Sequence, residues 1–174
     1  MPKQLWAPWR MQYIEAPKAG GDCIFCGVRA ASATERRERL VLASGEHAFV
    51  ILNRYPYTSG HLMVVPHSHA TRLDELPLVE HDVLFRWLRA ATARLLPALD
   101  AQALNVGINL GVAAGASQHA HLHVHVVPRW EGDHNFMAVV GEVRVIPQAL
   151  DATWAKLRPA FADLDEPGTT TETP

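Results

Sequence analysis

From position 119 to 125 every second residue is histidine: His119, His121, His123 and His125 are separated by Ala120, Leu122 and Val124. At period two, an extended strand sets all four imidazoles on one sheet face and the aliphatic side chains on the other. An aliphatic face needs a core to cover it. The chain has 174 residues, 48% of them apolar. That suffices for one domain burying roughly 70% of the surface its unfolded chain exposes. Lys and Arg total 16 against 18 Asp and Glu, so there is no basic footprint for nucleic acid. No apolar run approaches the ~18 residues of a membrane span, and MPKQLWAPWR lacks the apolar stretch of a secretory signal. The expectation is a cytoplasmic protein, partnered with neither nucleic acid nor membrane. Two cysteines, in the string CIFC, are too few for a disulfide scaffold.

The rest of the chain reads as short strands with two helices. Leu40–Ala43 and Ala48–Leu52 are apolar runs about a Ser44-Gly45-Glu46 turn, and His61–Val65 is a strand ending before Pro66. Ala103–Leu110 is a strand that precedes the small-residue loop Gly111–Gln118. The histidine strand covers Ala120–Val127 and stops at Pro128, with weaker strand patterns over Phe136–Val140 and Glu142–Ile146. Pro77 can open a helix that Leu84, Trp87, Leu88, Ala91 and Leu95 carry at helical spacing to about Leu99. Ala149–Phe161 is a terminal helix with Trp154 and Leu157 on its apolar side. The fold class is therefore α+β on a central antiparallel sheet, in a single domain 1–174 with its core at about residues 22–160. Residues 1–21 read as irregular, with Trp6, Trp9, Met11, Tyr13 and Ile14 expected to pack on the body or on a partner subunit. Residues from about 164 to 174 read as a frayed tail.

A solvated histidine face or an adventitious metal tract would also account for the histidine strand. The preceding loop points elsewhere. From Asn109 to Ser117 it is built of small residues, so backbone amides can approach a phosphate closely, although a plain hairpin connection has the same composition. Imidazoles beside such a loop suit phosphoryl chemistry. The cysteines alone fit a free thiol pair, a redox pair or half a zinc site; no βαβ pattern surrounds them, which lowers the redox reading.

The string HLHVHVV beginning at His121 resembles the histidine triad motif, three histidines alternating with apolar residues. Gly60-His61 at a strand start, reached through LNRYP, is similar to that family's second block. With CIFC the resemblance spans residues 22 to about 130. The stretches LNRYPYTSGHLMVVP, NVGINLG and HLHVHVVPRW look most like the branch acting on diadenosine polyphosphates.

The resemblance implies nucleotidyl transfer through a covalent histidine intermediate, cleared by water or by phosphate. The middle histidine, His123, would attack the α-phosphorus, since a neutral imidazole is a good nucleophile near pH 7. His125 would contact phosphate and stabilise charge on its oxygens. His61 would brace the triad strand. Asn53 would bond the ribose hydroxyls or merely serve the loop, and Ile51 and Met63 would wall the base pocket or fill core. Asn109, Ser117 and Gln118 would bind phosphate oxygens. The fragile histidine triad branch carries Gln where Ser117 stands, and the Asn109 loop is one residue longer here, so the donor at 117–118 stays open. His119 falls outside the triad and reads as exposed.

The same resemblance completes the metal reading. Family members with CxxC near the N-terminus add a histidine after the second strand's Val-Pro and the first triad histidine. Here those are His69 and His121, with His67 a competitor for His69. Cys23, Cys26, His69 and His121 would hold a closed, structural Zn²⁺. The family also implies a homodimer whose sheets join across a two-fold axis. The expected function is hydrolysis or phosphorolysis of a dinucleoside polyphosphate, the tetraphosphate first. The rivals are a purine nucleoside phosphoramidase of the same superfamily and a non-catalytic nucleotide-binding zinc module. The last has no use for a nucleophile at His123.

Overall fold

The computed structural model describes residues 23–116, 121–133 and 148–165. The N-terminal segment, Ser117 to Ala120, the weaker strand candidates at 136–146 and the tail beyond 165 lie outside the described residues. Within them, α1 (Ala33–Glu38) leads into β1 (Val41–Ser44), β2 (Ala48–Leu52) and β3 (Leu62–Pro66). The long helix α2 (Leu78–Leu99), β4 (Ala103–Ile108), β5 (Val124–Arg129) and α3 (Leu150–Leu157) follow. All pairings are antiparallel and the sheet order is β1-β2-β3-β5-β4.

The two sheet faces are covered by different material. Val50, Leu52, Leu62, Val64, Val124 and Val126 face Leu84, Ala91, Leu95 and Leu99 of α2, with Leu157 and Phe161 closing the layer. Their alternates Phe49, Ile51, Met63 and Val65 face the other way and are covered by Phe25 and Val28. Every residue of β2 and β3 is buried, as their unbroken apolar runs require when both faces are packed. The register Ile51↔Met63, Met63↔His125 and Gly107↔His125 lays one row across the sheet. The histidine face is thus the one away from α2.

Local chemistry explains where element ends depart from the sequence reading. Helix α1 is capped by a reciprocal pair: Ser32 Oγ accepts from Glu35 N–H, and the Glu35 carboxylate accepts from Ser32 N–H at 2.7 Å. Pro66 is the last residue of β3 instead of lying just past it, and Pro128 lies inside β5. β5 pairs with β3 only over Val124–Val126, and β3 with β5 only over Leu62–Val64. Each proline therefore sits where one side of its strand has no ladder to donate to. Pro77 precedes α2 as its cap rather than opening it. The terminal helix is α-helical only to Leu157; Pro159 lacks an N–H, and residues Arg158–Asp165 tighten into 3-10 turns. β5 begins at Val124, so His121 and His123 precede the ladder, while β4 ends at Ile108.

Candidate active site and metal centre

Two histidine clusters occupy the face away from α2, and hydrogen bonds fix the ring protons in both. His123 Nδ1 lies 2.7 Å from the His121 carbonyl, so it must donate, and the lone pair is left on Nε2. His61, fully buried at the start of β3, accepts the Tyr57 N–H on Nδ1 at 3.1 Å. Its proton is therefore on Nε2, which donates to His125 Nδ1 at 3.0 Å. His125 in turn carries its own proton on Nε2. Burial pushes His61 down to about 3, aided by the neighbouring His125 and His123; burial lowers His125 to about 4, aided by His123. His123 is also lowered by burial, opposed by its bond to the His121 carbonyl. All three rings are neutral at pH 7. His123 and His125 meet edge to face with ring centres 4.6 Å apart.

Around these rings the expected neighbours fall on both sides of the prediction. Ile51 and Met63 are buried and lie in the same cross-strand row as His125. The Asn53 side chain is turned inward: Oδ1 accepts from Tyr55 N–H at 2.9 Å, leaving Nδ2 3.4 Å from His61 Nδ1. Asn109 stands at the loop end of β4, and its Nδ2 lies 3.6 Å from where a Cβ on Gly115 would sit. The loop amides are less available than its composition suggests. Those of Ala114, Gly115 and Ala116 bond back to the carbonyls of Gly111, Val112 and Gly111. Ser117, Gln118 and His119 lie outside the described residues.

The second cluster gathers Cys23, Cys26, His69 and His121, whose ligand atoms all lie within 4.8 Å of one another. His121 Nε2 donates to the Pro66 carbonyl at 2.8 Å, which frees Nδ1 to face both sulfurs. Cys23 Sγ and Cys26 Sγ stand 3.4 and 3.6 Å from that nitrogen, and His69 Nδ1 is 3.3 Å from Cys26 Sγ. A tetrahedral zinc with usual bond lengths separates sulfur and nitrogen ligands by about 3.6 Å, so the donor set fits. His67 is not part of it: its Nε2 donates to the Gly45 carbonyl at 3.0 Å. Burial also lowers His121 to about 4, against the pull of its bond to Pro66.

Two participants escaped the sequence reading. Phe25, between the cysteines, packs 5.5 Å from the ring centres of both His121 and His123. Its place inside CIFC was the available signal. Tyr57 offers its N–H to His61 and stacks its ring on the same imidazole at 4.8 Å. A main-chain donor in a loop leaves no mark on sequence.

Comparison with known proteins agrees with this geometry. The HIT domain family profile matches residues 34–132. The chain is 40% identical over 156 residues to the AP-4-A phosphorylase of Mycobacterium tuberculosis, spanning 87% of this chain and 80% of that protein. A hypothetical histidine triad nucleotide-binding protein of Sulfolobus tokodaii superposes with a TM-score of 0.64 at 25% identity, over 82% of this chain and 93% of that one. A Zn-bound histidine triad family protein of Mycobacterium smegmatis does so at 0.59 and 30%, over 83% and 96%. With the profile, the relatives and the triad geometry in accord, the chain belongs to the HIT domain family.

Proposed function

We propose that this protein cleaves diadenosine polyphosphates, the tetraphosphate foremost, at the α-phosphate through a nucleotidyl–His123 intermediate. The observation that carries the reading is the Nδ1–H of His123 bonded to the His121 carbonyl, which leaves Nε2 as an unprotonated nucleophile in a neutral, buried ring. His123 Nε2 bonds to the α-phosphorus, and the bond to the departing nucleoside triphosphate breaks. A polyphosphate leaves readily, so no strong acid is required. His125, holding its proton on Nε2 because His61 supplies Nδ1, donates to a phosphoryl oxygen as charge builds there. An oxygen of inorganic phosphate then displaces His123, giving ADP. Phosphate is the acceptor that the name of the Mycobacterium tuberculosis relative states for that protein. Ile51 and Met63 wall the base pocket, Asn53 bonds the ribose hydroxyls once its side chain turns out from its contacts with Tyr55 and His61, and Asn109 with Ser117 and Gln118 holds phosphate oxygens.

Cys23, Cys26, His69 and His121 hold a structural Zn²⁺, an assignment supported by the donor geometry and by the Zn-bound relative. Held by four protein donors, such an ion would supply cross-linking rather than chemistry. The chain is a single domain and works as a homodimer. Among the described residues β4 forms a sheet edge, and Val106 in its middle is 48% exposed, an apolar surface suited to pairing with a second copy. No helix among the described residues is long and apolar enough to cross a membrane. We take the cytoplasm as its compartment.

Incubation with diadenosine tetraphosphate, with and without phosphate, tests the reading. ADP plus ATP appearing only with phosphate is the expected result. AMP plus ATP in phosphate-free buffer would make water the acceptor. An inert dinucleotide beside rapid cleavage of an adenosine phosphoramidate would overturn the assignment.

A further inference from the structure

Outside the histidine clusters one buried charge stands out. Glu80, in the first turn of α2, is 7% exposed. A carboxylate is kept at such depth only if its oxygens are bonded. Both are, and to one residue: Oε1 accepts from Ser68 Oγ at 2.7 Å and Oε2 from Ser68 N–H at 3.0 Å. Ser68 is the middle of the turn 66–70 that leaves β3. That turn holds the start of the histidine segment at two points, the Pro66 carbonyl accepting from His121 Nε2 and the Ala70 carbonyl from Leu122 N–H at 2.7 Å. It also carries His69, whose Nδ1 lies 3.3 Å from Cys26 Sγ. One short turn thus bears one nitrogen donor of the metal cluster and aims the other.

We infer that Glu80 is a positioning residue for the metal centre. Its two-point grip on Ser68 fixes turn 66–70 against α2, so that His69 and His121 present Nδ1 to both sulfurs at once. The inference rests on the proposed zinc site and adds a residue that touches neither metal nor substrate. The energy comes from the long helix: a carboxylate anchored in its first turn cannot follow Ser68 if the turn swings out. Without it, His69 keeps its chemistry but loses its fixed place.

The test measures zinc release from the loaded protein to a chromophoric chelator, together with melting temperatures of the zinc-loaded and zinc-free forms. Glu80→Ala should release zinc about 10- to 100-fold faster than wild type, if the affinity loss typical of removing groups behind metal ligands falls on the off-rate. Glu80→Gln, which retains one carbonyl acceptor, and Ser68→Ala, which loses one bond, should fall between. The melting temperature should drop mainly in the loaded form. Ser68→Ala carries the test should Glu80→Ala fail to fold. Unchanged release rates, or equal melting losses in loaded and zinc-free protein, would overturn the inference and leave the zinc site standing. Wild-type protein that binds no zinc would overturn both.

Discussion

Acidification offers a direct measure of how the imidazole cluster is held. His61 is fully buried, accepts one hydrogen bond and donates another, and burial brings it down to about 3. In the unfolded chain its value returns to about 6.5. Between these limits the unfolded state binds more protons than the folded one, so stability rises with pH there and is lost as pH falls. The contribution is therefore complete above about pH 6.5 and declines continuously toward pH 3. Integrated from pH 7 to pH 5, one such imidazole removes about 2 kcal/mol. That is a large share of the 5–15 kcal/mol typical of a domain.

Urea unfolding of wild type and His61→Leu at pH 7 and pH 5 isolates this quantity. Leucine is less stable at pH 7, because it strips the donor from His125 Nδ1. Its loss on acidification should nevertheless be smaller than the wild-type loss by about 2 kcal/mol. Both proteins carry the same cysteine and histidine cluster, so any acid release of metal subtracts out. A variant that loses as much stability as wild type, to within about 0.5 kcal/mol, would refute the claim that His61 is held neutral by its surroundings.

Other perturbations address the remaining parts. His123→Asn should abolish a trapped nucleotidyl-enzyme and lower turnover by several orders of magnitude, with nucleotide affinity retained by calorimetry; His125→Asn should be milder. Cys26→Ser should release zinc, seen by metal analysis, and lower the melting temperature. Gly60→Ala places a Cβ 2.2 Å from Leu99 Cδ1 at a φ of +81°, and should cost about 1–3 kcal/mol by denaturant unfolding. Val106→Lys should shift light-scattering mass from dimer to monomer.

Much of this site could be read from residue order because its chemistry is periodic. Alternation at 121–125 sets a common face for the triad, and the resemblance to the family, not spacing, ties His69 to the cysteines. What could not be read depends on what lies beside each group in space. Pro128 looks like a strand stop, yet β5 runs through it, and both it and Pro66 are tolerated because the β3–β5 pairing stops two residues before each. Helix α1 has a readable start in Ser32 and Glu35, but its six residues carry no apolar stripe to mark a helix. The composition of the loop at 111–116 suggests a cradle of free amides, whereas three of its N–H groups bond back to carbonyls of the same loop. Nothing in residue order marks Glu80; only tertiary packing joins it to Ser68, 12 residues earlier.

The two halves of the site meet in one residue. His121 gives its carbonyl to the Nδ1–H of His123, its Nε2–H to Pro66 and its Nδ1 to the sulfurs of Cys23 and Cys26. The carbonyl sets the tautomer of the proposed nucleophile, and that carbonyl can rotate only if the side chain lets go. Phe25 adds a second link, since the loop that carries the cysteines also packs this ring against His121 and His123. In-line attack tolerates little displacement, and a shift of about 1 Å can cost a hundredfold in rate. A metal held by this cluster, bonded to no reacting atom, would thus act on the proposed nucleophile through the backbone of residue 121. Loss of turnover on chelation should then fall on kcat, because His123 is misdirected while the proposed base pocket along Ile51 and Met63, held by strand pairing, stays in place.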